Sequence, residues 1–215
     1  MAQDAEAQLV AEIKSGNRAA LGMLLESQQS RLYQVCLRML GNRDTAAEAC
    51  QEAMLKIIQS IGDFRGESRL SSWMVRIAMN QSLTRLRRDK VRRTLSIDAP
   101  RGGGDGDQAD ELRRRLADAR EPTPDVRVEQ EERQRMVLAA LADLEPDHRR
   151  VLVLRDVDGM DYAQIAEVLE LALGTVKSRL FRARVALRER MEELEAGRAS
   201  AAGELDGRDV EAASG

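Results

Sequence analysis

The sequence predicts an all-α fold of two small helical domains joined by a flexible linker. Three observations carry that expectation. Hydrophobic residues make up 43% of the 215-residue chain but aromatics only 2%, a mixture that fills narrow helical stripes and suits sheets poorly. Apolar residues recur at steps of three and four in both halves of the chain. Between the halves, residues 99–125 lose that period to Gly, Pro and Asp, which cannot bury a core.

The first half reads as helix from residue 5 to about 93. Leu21, Leu24, Leu25, Leu32, Cys36 and Met39 mark one helix, and Gly41-Asn42 stops it. Ala46, Ala47, Cys50, Met54, Ile57, Ile58 and Ile61 form the stripe of the next, with Glu48 and Glu52 away from it. Residues 62–68 (Gly-Asp-Phe-Arg-Gly-Glu-Ser) read as a loop, and Ser68 or Ser71 is the expected cap of a long helix to about residue 93. Trp73, Met74 and Ile77 are its expected buried start. Arg76, Asn80 and Arg87, four and seven residues apart, fall on one stripe. Asn can recognise a base by paired hydrogen bonds and Arg anchors phosphates, although a charge run is also the mark of a solvated face.

The second half begins after Glu121-Pro122-Thr123-Pro124, with a short amphipathic piece expected before it at residues 112–119. Met136, Val137, Leu138, Leu141 and Leu144 mark its first helix. Pro146 suits the first turn of the next, which Gly159 ends. A short helix at about 163–169, a three-residue turn and a long final helix from about Gly174 follow. Ile165, Leu169, Leu171 and Val176 are the apolar positions that hold two crossed helices of a helix-turn-helix, with Ala166 small at the crossing. Glu170 stands at the turn position that often holds Gly; a left-handed backbone there costs Glu roughly 1 kcal/mol relative to Gly. On the final helix Val176, Leu180, Ala183, Leu187, Met191 and Leu194 form one apolar stripe, and Lys177, Ser178, Phe181, Arg182 and Val185 lie opposite. An aromatic facing away from a core implies that something covers it. In a DNA groove Phe181 can touch a thymine methyl while Lys177 and Arg182 reach base edges or phosphates.

The formal net charge of -3 argues neither for nor against nucleic acid, but arginines cluster at 85–93 and basic residues again at 177–190. Two cysteines and one histidine supply no zinc site of the usual kind, and two buried free thiols are expected. The first residues lack the basic start and apolar run of a signal peptide, and no stretch approaches the ~18 apolar residues of a spanning helix. The expectation is a cytoplasmic protein without membrane insertion. Neither a phosphate-cradling Gly loop nor a His partnered for catalysis is present, so neither enzyme nor cofactor is expected.

Residues 174–184 (Gly-Thr-Val-Lys-Ser-Arg-Leu-Phe-Arg-Ala-Arg) resemble the recognition helix of region 4 in extracytoplasmic-function (ECF) sigma factors, a subfamily of the sigma-70 family. Residues 47–53, and Phe64 to Ser68 through Trp73 and Asn80, resemble region 2 of the same family. Both motif sets stand in the right order, and the resemblance covers about residues 8–95 and 128–192. It implies a region 2 domain at 1–95, a linker at 96–127, a region 4 domain at 128–195 and a disordered tail at 196–215. It further implies a non-catalytic specificity subunit that binds the clamp and flap of core RNA polymerase and directs it to promoters. Promoter DNA would be met double-stranded at the -35 element and single-stranded at -10, and an anti-sigma factor is a further candidate partner.

By motif match, Thr175, Lys177, Ser178, Arg179, Phe181 and Arg182 would bind the -35 element. Phe64, Arg65, Ser68, Arg76, Asn80, Arg85, Arg87 and Arg88 would serve -10, the 64–69 loop receiving a flipped base. Glu48, Gln51 and Glu52 fall in the polymerase-docking segment. Two other readings stay open on residues alone. One is a stand-alone helix-turn-helix regulator; the other treats the basic helices as membrane-surface or protein-binding faces, a scheme that Asn80 and Phe181 break.

Overall fold

The computed structural model describes residues 2–95 and 124–212, with side chains at 5–92 and 132–198. The described secondary structure is all helical. Its helices are α1 (Ala2–Lys14), α2 (Arg18–Leu40), α3 (Arg43–Ser60), α4 (Leu70–Leu95), α5 (Pro124–Asp143), α6 (Pro146–Leu152), α7 (Tyr162–Leu169) and α8 (Leu173–Ala212). The expected amphipathic piece at 112–119 and the linker up to residue 123 lie outside the described residues.

The first module is a bundle of α2, α3 and α4 with α1 laid across it. Local chemistry fixes its corners. Asn17 caps α2 by accepting from the Ala20 N–H at 3.1 Å. Gly41 ends α2 in the left-handed conformation, φ 73°, and Asn42 caps α3 through the N–H groups of Asp44 and Thr45. Only a residue without Cβ takes that turn at little cost. The core is built from Leu32, Val35, Met39, Ile57, Met74, Val75 and Met79. Cys36 and Cys50 are buried free thiols, as expected. Hydrogen bonding with Cys36, reinforced by burial, pushes the Cys50 thiol well above its ordinary range and keeps it protonated.

The second module packs α5, α6 and α7 on α8. After α6 the chain opens into a wider turn, Val153–Val157, which closes at Gly159 with φ 73°. Asp161 and Gln164 cap α7 reciprocally. The backbone of α8 continues as helix to Ala212, where the sequence predicts a disordered tail from 196. The alanines, glutamates and arginines of that stretch favour helix once α8 has nucleated it.

The two modules are packed together, not held apart on their tether. Helix α2 lies against α5 and the turn after α6, and α4 touches α7. Arg31 on α2 donates to both oxygens of Asp158, Nε at 2.5 Å and Nη2 at 2.8 Å. The Asp158 side chain is 1% exposed. Arg149 on α6 is buried; it donates to the Met39 carbonyl at the end of α2 and to the carbonyls of Ala142 and Leu144, at 2.5 and 3.0 Å. A cation at a helix C-terminus meets the negative end of the backbone dipole. Gly41 lets the modules close: a Cβ there would stand 3.2 Å from the Ala142 Cβ.

Removing Arg31 would strand a desolvated carboxylate, which costs about 3 kcal/mol while the modules stay closed. Separating the modules returns Asp158 to water and is the cheapest relief. Arg31→Ala should therefore lengthen the distance between probes placed on α3 and α8, and adding Asp158→Asn should reverse much of the change. Equal inter-probe distances in all three proteins would refute this account of the interface.

Candidate nucleic-acid interfaces

The helix-turn-helix is built as its apolar spacing requires. Ile165, Val176 and Ala183 are fully buried, with Val168, Leu169 and Leu180 close to it. Val168 joins the core although it lies outside the four apolar positions expected to hold the motif. Tyr162 at the start of α7 lies under the Arg155 guanidinium, 5.2 Å from its ring centre, while Arg155 donates to the Met160 carbonyl at 2.8 Å. Glu170 adopts the left-handed conformation that a Gly would take more cheaply, φ 55° and ψ 46°. Its backbone N–H still closes α7 onto Glu167, so the turn keeps its geometry despite the substitution. The side chain has found another use: Arg76 of the first module donates to Glu170 Oε1 at 3.2 Å.

Burial of the α8 stripe throws the opposite face outward. Lys177, Ser178 and Arg182 are exposed there, and Phe181 is 70% exposed. Neither Lys177 nor Arg182 meets a carboxylate among the described residues, and Arg182 Nε makes only a long bond, 3.4 Å, to the Ser178 carbonyl. Thr175 is half-buried, its carbonyl accepting from the Ser178 hydroxyl at 3.1 Å. Arg179 points elsewhere. It pairs with Asp147 of α6 at 2.9 Å and is half-buried, so it braces the module and does not share the Phe181 face.

In the first module the loop after α3 begins with a 3-10 turn at Ile61–Asp63. Phe64 is buried against Trp73, ring centres 5.2 Å apart and tilted by 53°. The ring therefore supports the loop from below, while Arg65 and Glu67 are exposed and Ser68 is half-exposed. Helix α4 starts at Leu70, and the acceptor at its first amide is Glu6 of α1 at 2.5 Å. The sequence points to Ser68 or Ser71 for that role; a cap contributed from 64 residues away leaves no local signature.

A cleft of about 410 Å³ opens beside the loop, lined by Phe64, Arg65, Ser68, Trp73 and Arg76 and walled by Glu167 of the second module. Arg76 Nη2 donates to the Glu167 carbonyl at 2.7 Å. Asn80 is exposed one turn further along α4, outside that lining, and Arg87 and Arg88 are exposed beyond it. Arg85 departs from this face: it turns to α3 and pairs with Glu48, and with Glu52 at 3.7 Å. Gln51 is exposed on the same helix. Two residues expected to contact polymerase thus neutralise one expected to contact DNA.

Residues 24–92 match the family described as Sigma-70 region 2, and residues 134–187 match Sigma-70, region 4. The ECF RNA polymerase sigma factor SigW of Bacillus subtilis is 30% identical over 185 residues, 86% of this chain and 96% of that protein. The chain belongs to the ECF sigma factors. The RNA polymerase sigma-H factor of Pseudomonas aeruginosa is 28% identical over 90% of this chain and 97% of its own. The ECF sigma-E factor of Escherichia coli is 29% identical over 86% and 94%. Two solved structures share the fold: CnrH in complex with the cytosolic domain of CnrY (TM-score 0.59, 22% identity, 88% of this chain and 99% of that one), and the sigma factor RpoE with the anti-sigma factor NepR from Bartonella quintana (0.58, 21%, 80% and 96%). As an ECF sigma factor this protein binds core RNA polymerase and directs it to promoters, recognising promoter DNA in transcription initiation. No described helix is long and apolar enough to cross a membrane.

The ECF sigma factor keeps Glu170 at a strained position, and the Arg76 contact accounts for it. With Arg76 replaced by Ala, Glu170→Gly should stabilise the protein by about 1 kcal/mol in thermal unfolding. In the parent the gain should shrink, because an exposed ion pair contributes up to about 1 kcal/mol of its own. Equal gains in both backgrounds would disconnect the strain from the contact.

Proposed function

We propose that the exposed face of α8 reads the -35 element and that the 64–69 loop with the outer face of α4 captures single-stranded -10 DNA. The observation that carries the first assignment is Phe181, 70% exposed between two cations that meet no carboxylate among the described residues. A groove supplies what that face lacks: thymine methyls for the ring, and base edges or phosphates for Lys177 and Arg182. Ser178 is the fourth reader. Thr175 and Arg179 support the helix, Arg179 from its bond to Asp147.

For -10, the cleft at Arg65, Ser68 and Arg76 has a polar rim and an aromatic floor of Phe64 and Trp73. Such a pocket suits an unstacked base, whose capture offsets part of the ~1–2 kcal/mol that each opened base-pair step costs. Asn80, Arg87 and Arg88 continue the same face along the strand. Glu48, Gln51 and Glu52, with the exposed Leu55 and Ile58 one turn further on, form the docking face for polymerase. Arg85 holds its two glutamates in place. The work is binding and strand capture, so the chain contributes no catalytic group of its own, and it acts in the cytoplasm where polymerase is. Residues 1–95 and 128–195 are the two working domains, and 96–127 joins them, its last four residues already helical in α5.

The closed packing is a resting state. The elements stand about 25 base pairs apart by name, about 85 Å of B-form duplex at 3.4 Å per pair. Arg76 touches Glu170, three residues before α8 begins, so the closed protein cannot reach both elements. Polymerase must separate the modules, which also removes Glu167 from the cleft. An anti-sigma factor is the partner class that would hold the chain inactive, as the complex of the similar sigma factor RpoE with the anti-sigma factor NepR suggests.

Phe181→Ala or Arg182→Ala should fold normally and lose roughly 1 to 3 kcal/mol of -35 binding in holoenzyme, with relaxed preference at one or two positions. Asn80→Ala should spare closed-complex binding and slow opening, and a pre-melted -10 template should restore only part of the rate. Binding to duplex, with transcription from duplex and bubble templates, separates these outcomes. Weakened -35 recognition in Asn80→Ala, or unfolding in Phe181→Ala, would overturn the assignments.

A further inference from the structure

Helix α1 lies before the stretch that matches region 2, which begins at residue 24. Val10 and Ile13 pin it to the core, with Leu9 packed beside them. Two polar residues on α1 do something else. Near one end, Lys14 Nζ donates to the Phe64 carbonyl at 2.7 Å. Near the other, Glu6 Oε1 accepts the Leu70 N–H at 2.5 Å. These contacts bracket the 64–69 loop, one at its first residue and one just past its last. Glu6 and Lys14 are eight residues apart, about 12 Å along a helix.

Between the two bonds the loop has little of its own to hold it. Arg65, Gly66, Glu67 and Arg69 are exposed, and Gly66 takes a left-handed conformation. The start of α4 is also short of a local cap. The Arg69 carbonyl accepts the first helical bond, from Trp73 N–H, but the Arg69 side chain has no acceptor to offer. Glu6 supplies that acceptor, and its carboxylate faces the positive end of the α4 dipole.

We propose that α1 is a clamp that sets the geometry of the base-capturing loop, with Lys14 and Glu6 as positioning residues at its two ends. The inference rests on the reading of that loop as the site of -10 base capture. Neither residue touches DNA in this role; each acts by fixing the backbone on which Arg65 and Ser68 are carried. Pre-set backbone lowers the ordering cost that capture of a base would otherwise include.

The test uses the full chain in holoenzyme, with Lys14→Met and Glu6→Leu, and Lys14→Arg and Glu6→Gln as variants that keep the donor and the acceptor. The clamp is read by hydrogen exchange at the Phe64 and Leu70 amides. Capture is read by affinity for a single-stranded -10 oligonucleotide, with binding to -35 duplex as control. Exchange at the loop ends should quicken about tenfold in Lys14→Met and Glu6→Leu, and oligonucleotide affinity should fall by a similar factor. The -35 duplex should bind as before, and the conservative pair should recover most of both losses. Unchanged exchange, or a loss shared equally with -35 binding and not rescued by Lys14→Arg and Glu6→Gln, would overturn the clamp. Faster exchange with undiminished oligonucleotide binding would uphold the clamp and remove base capture from the loop, an outcome that Arg65→Ala and Ser68→Ala would share.

Discussion

The bidentate ion pair between Arg31 and Asp158 settles how the modules of this protein sit. Asp158 is nearly inaccessible to water, so its charge is tolerable only with both guanidinium bonds in place or with the modules parted. Intermediate arrangements are unfavourable because they desolvate the carboxylate without satisfying it. The hydrogen bonding that dominates the interaction also raises the Arg31 pKa beyond its already high value, so the cation is permanent. An interface of this kind favours two discrete states, closed and open, over a continuum. The neighbouring contacts follow its lead: Arg149 reaches the end of α2, and Arg76 reaches Glu167 and Glu170.

Charge is sorted between cations that pair across elements and cations that stay exposed. Arg85, Arg179, Arg184 and Arg190 each meet a carboxylate of a neighbouring element. They hold helices together and offer little to phosphate. Among the described residues, Lys177 and Arg182 on α8 and Arg87 and Arg88 on α4 meet no carboxylate. A chain with a net negative charge can thus present two basic faces, because charge is segregated over its surface and its sum hides the pattern. The sum of charges was uninformative for that reason, and the pairing pattern is the useful quantity.

The strained turn at Glu170 shows how the closed state leaves its mark on local sequence. A helix-turn-helix considered alone favours Gly there, and no local gain offsets the loss. In the packed molecule the carboxylate meets Arg76, and the same guanidinium donates to the Glu167 backbone carbonyl. One arginine of the first module therefore ties down the turn that precedes α8. The residue that belongs to the proposed base cleft is occupied by the other module until that module leaves.

Much of the fold and of the α8 face was legible in the sequence because both are periodic. Stripes at three- and four-residue steps fixed the helices, Gly41 and Gly159 marked their ends, and the position of Phe181 opposite Val176, Leu180 and Ala183 required it to face out. Arg85 and Arg179 are expected at DNA faces by motif match alone, and a motif does not tell that Glu48 or Asp147 waits on the next helix to pair with them. Glu6 at the start of α4, Lys14 on Phe64 and Asp158 on Arg31 are equally silent in sequence, since their partners stand 50 to 127 residues away. Sequence by itself determined the helices, their apolar faces and the family's two motif sets, because each depends on neighbours within a turn or two. Tertiary structure alone decided which charges are paired, what caps α4 and how the modules close, because a charge or an unpaired amide is satisfied by whatever the fold brings within 3 Å or so of it.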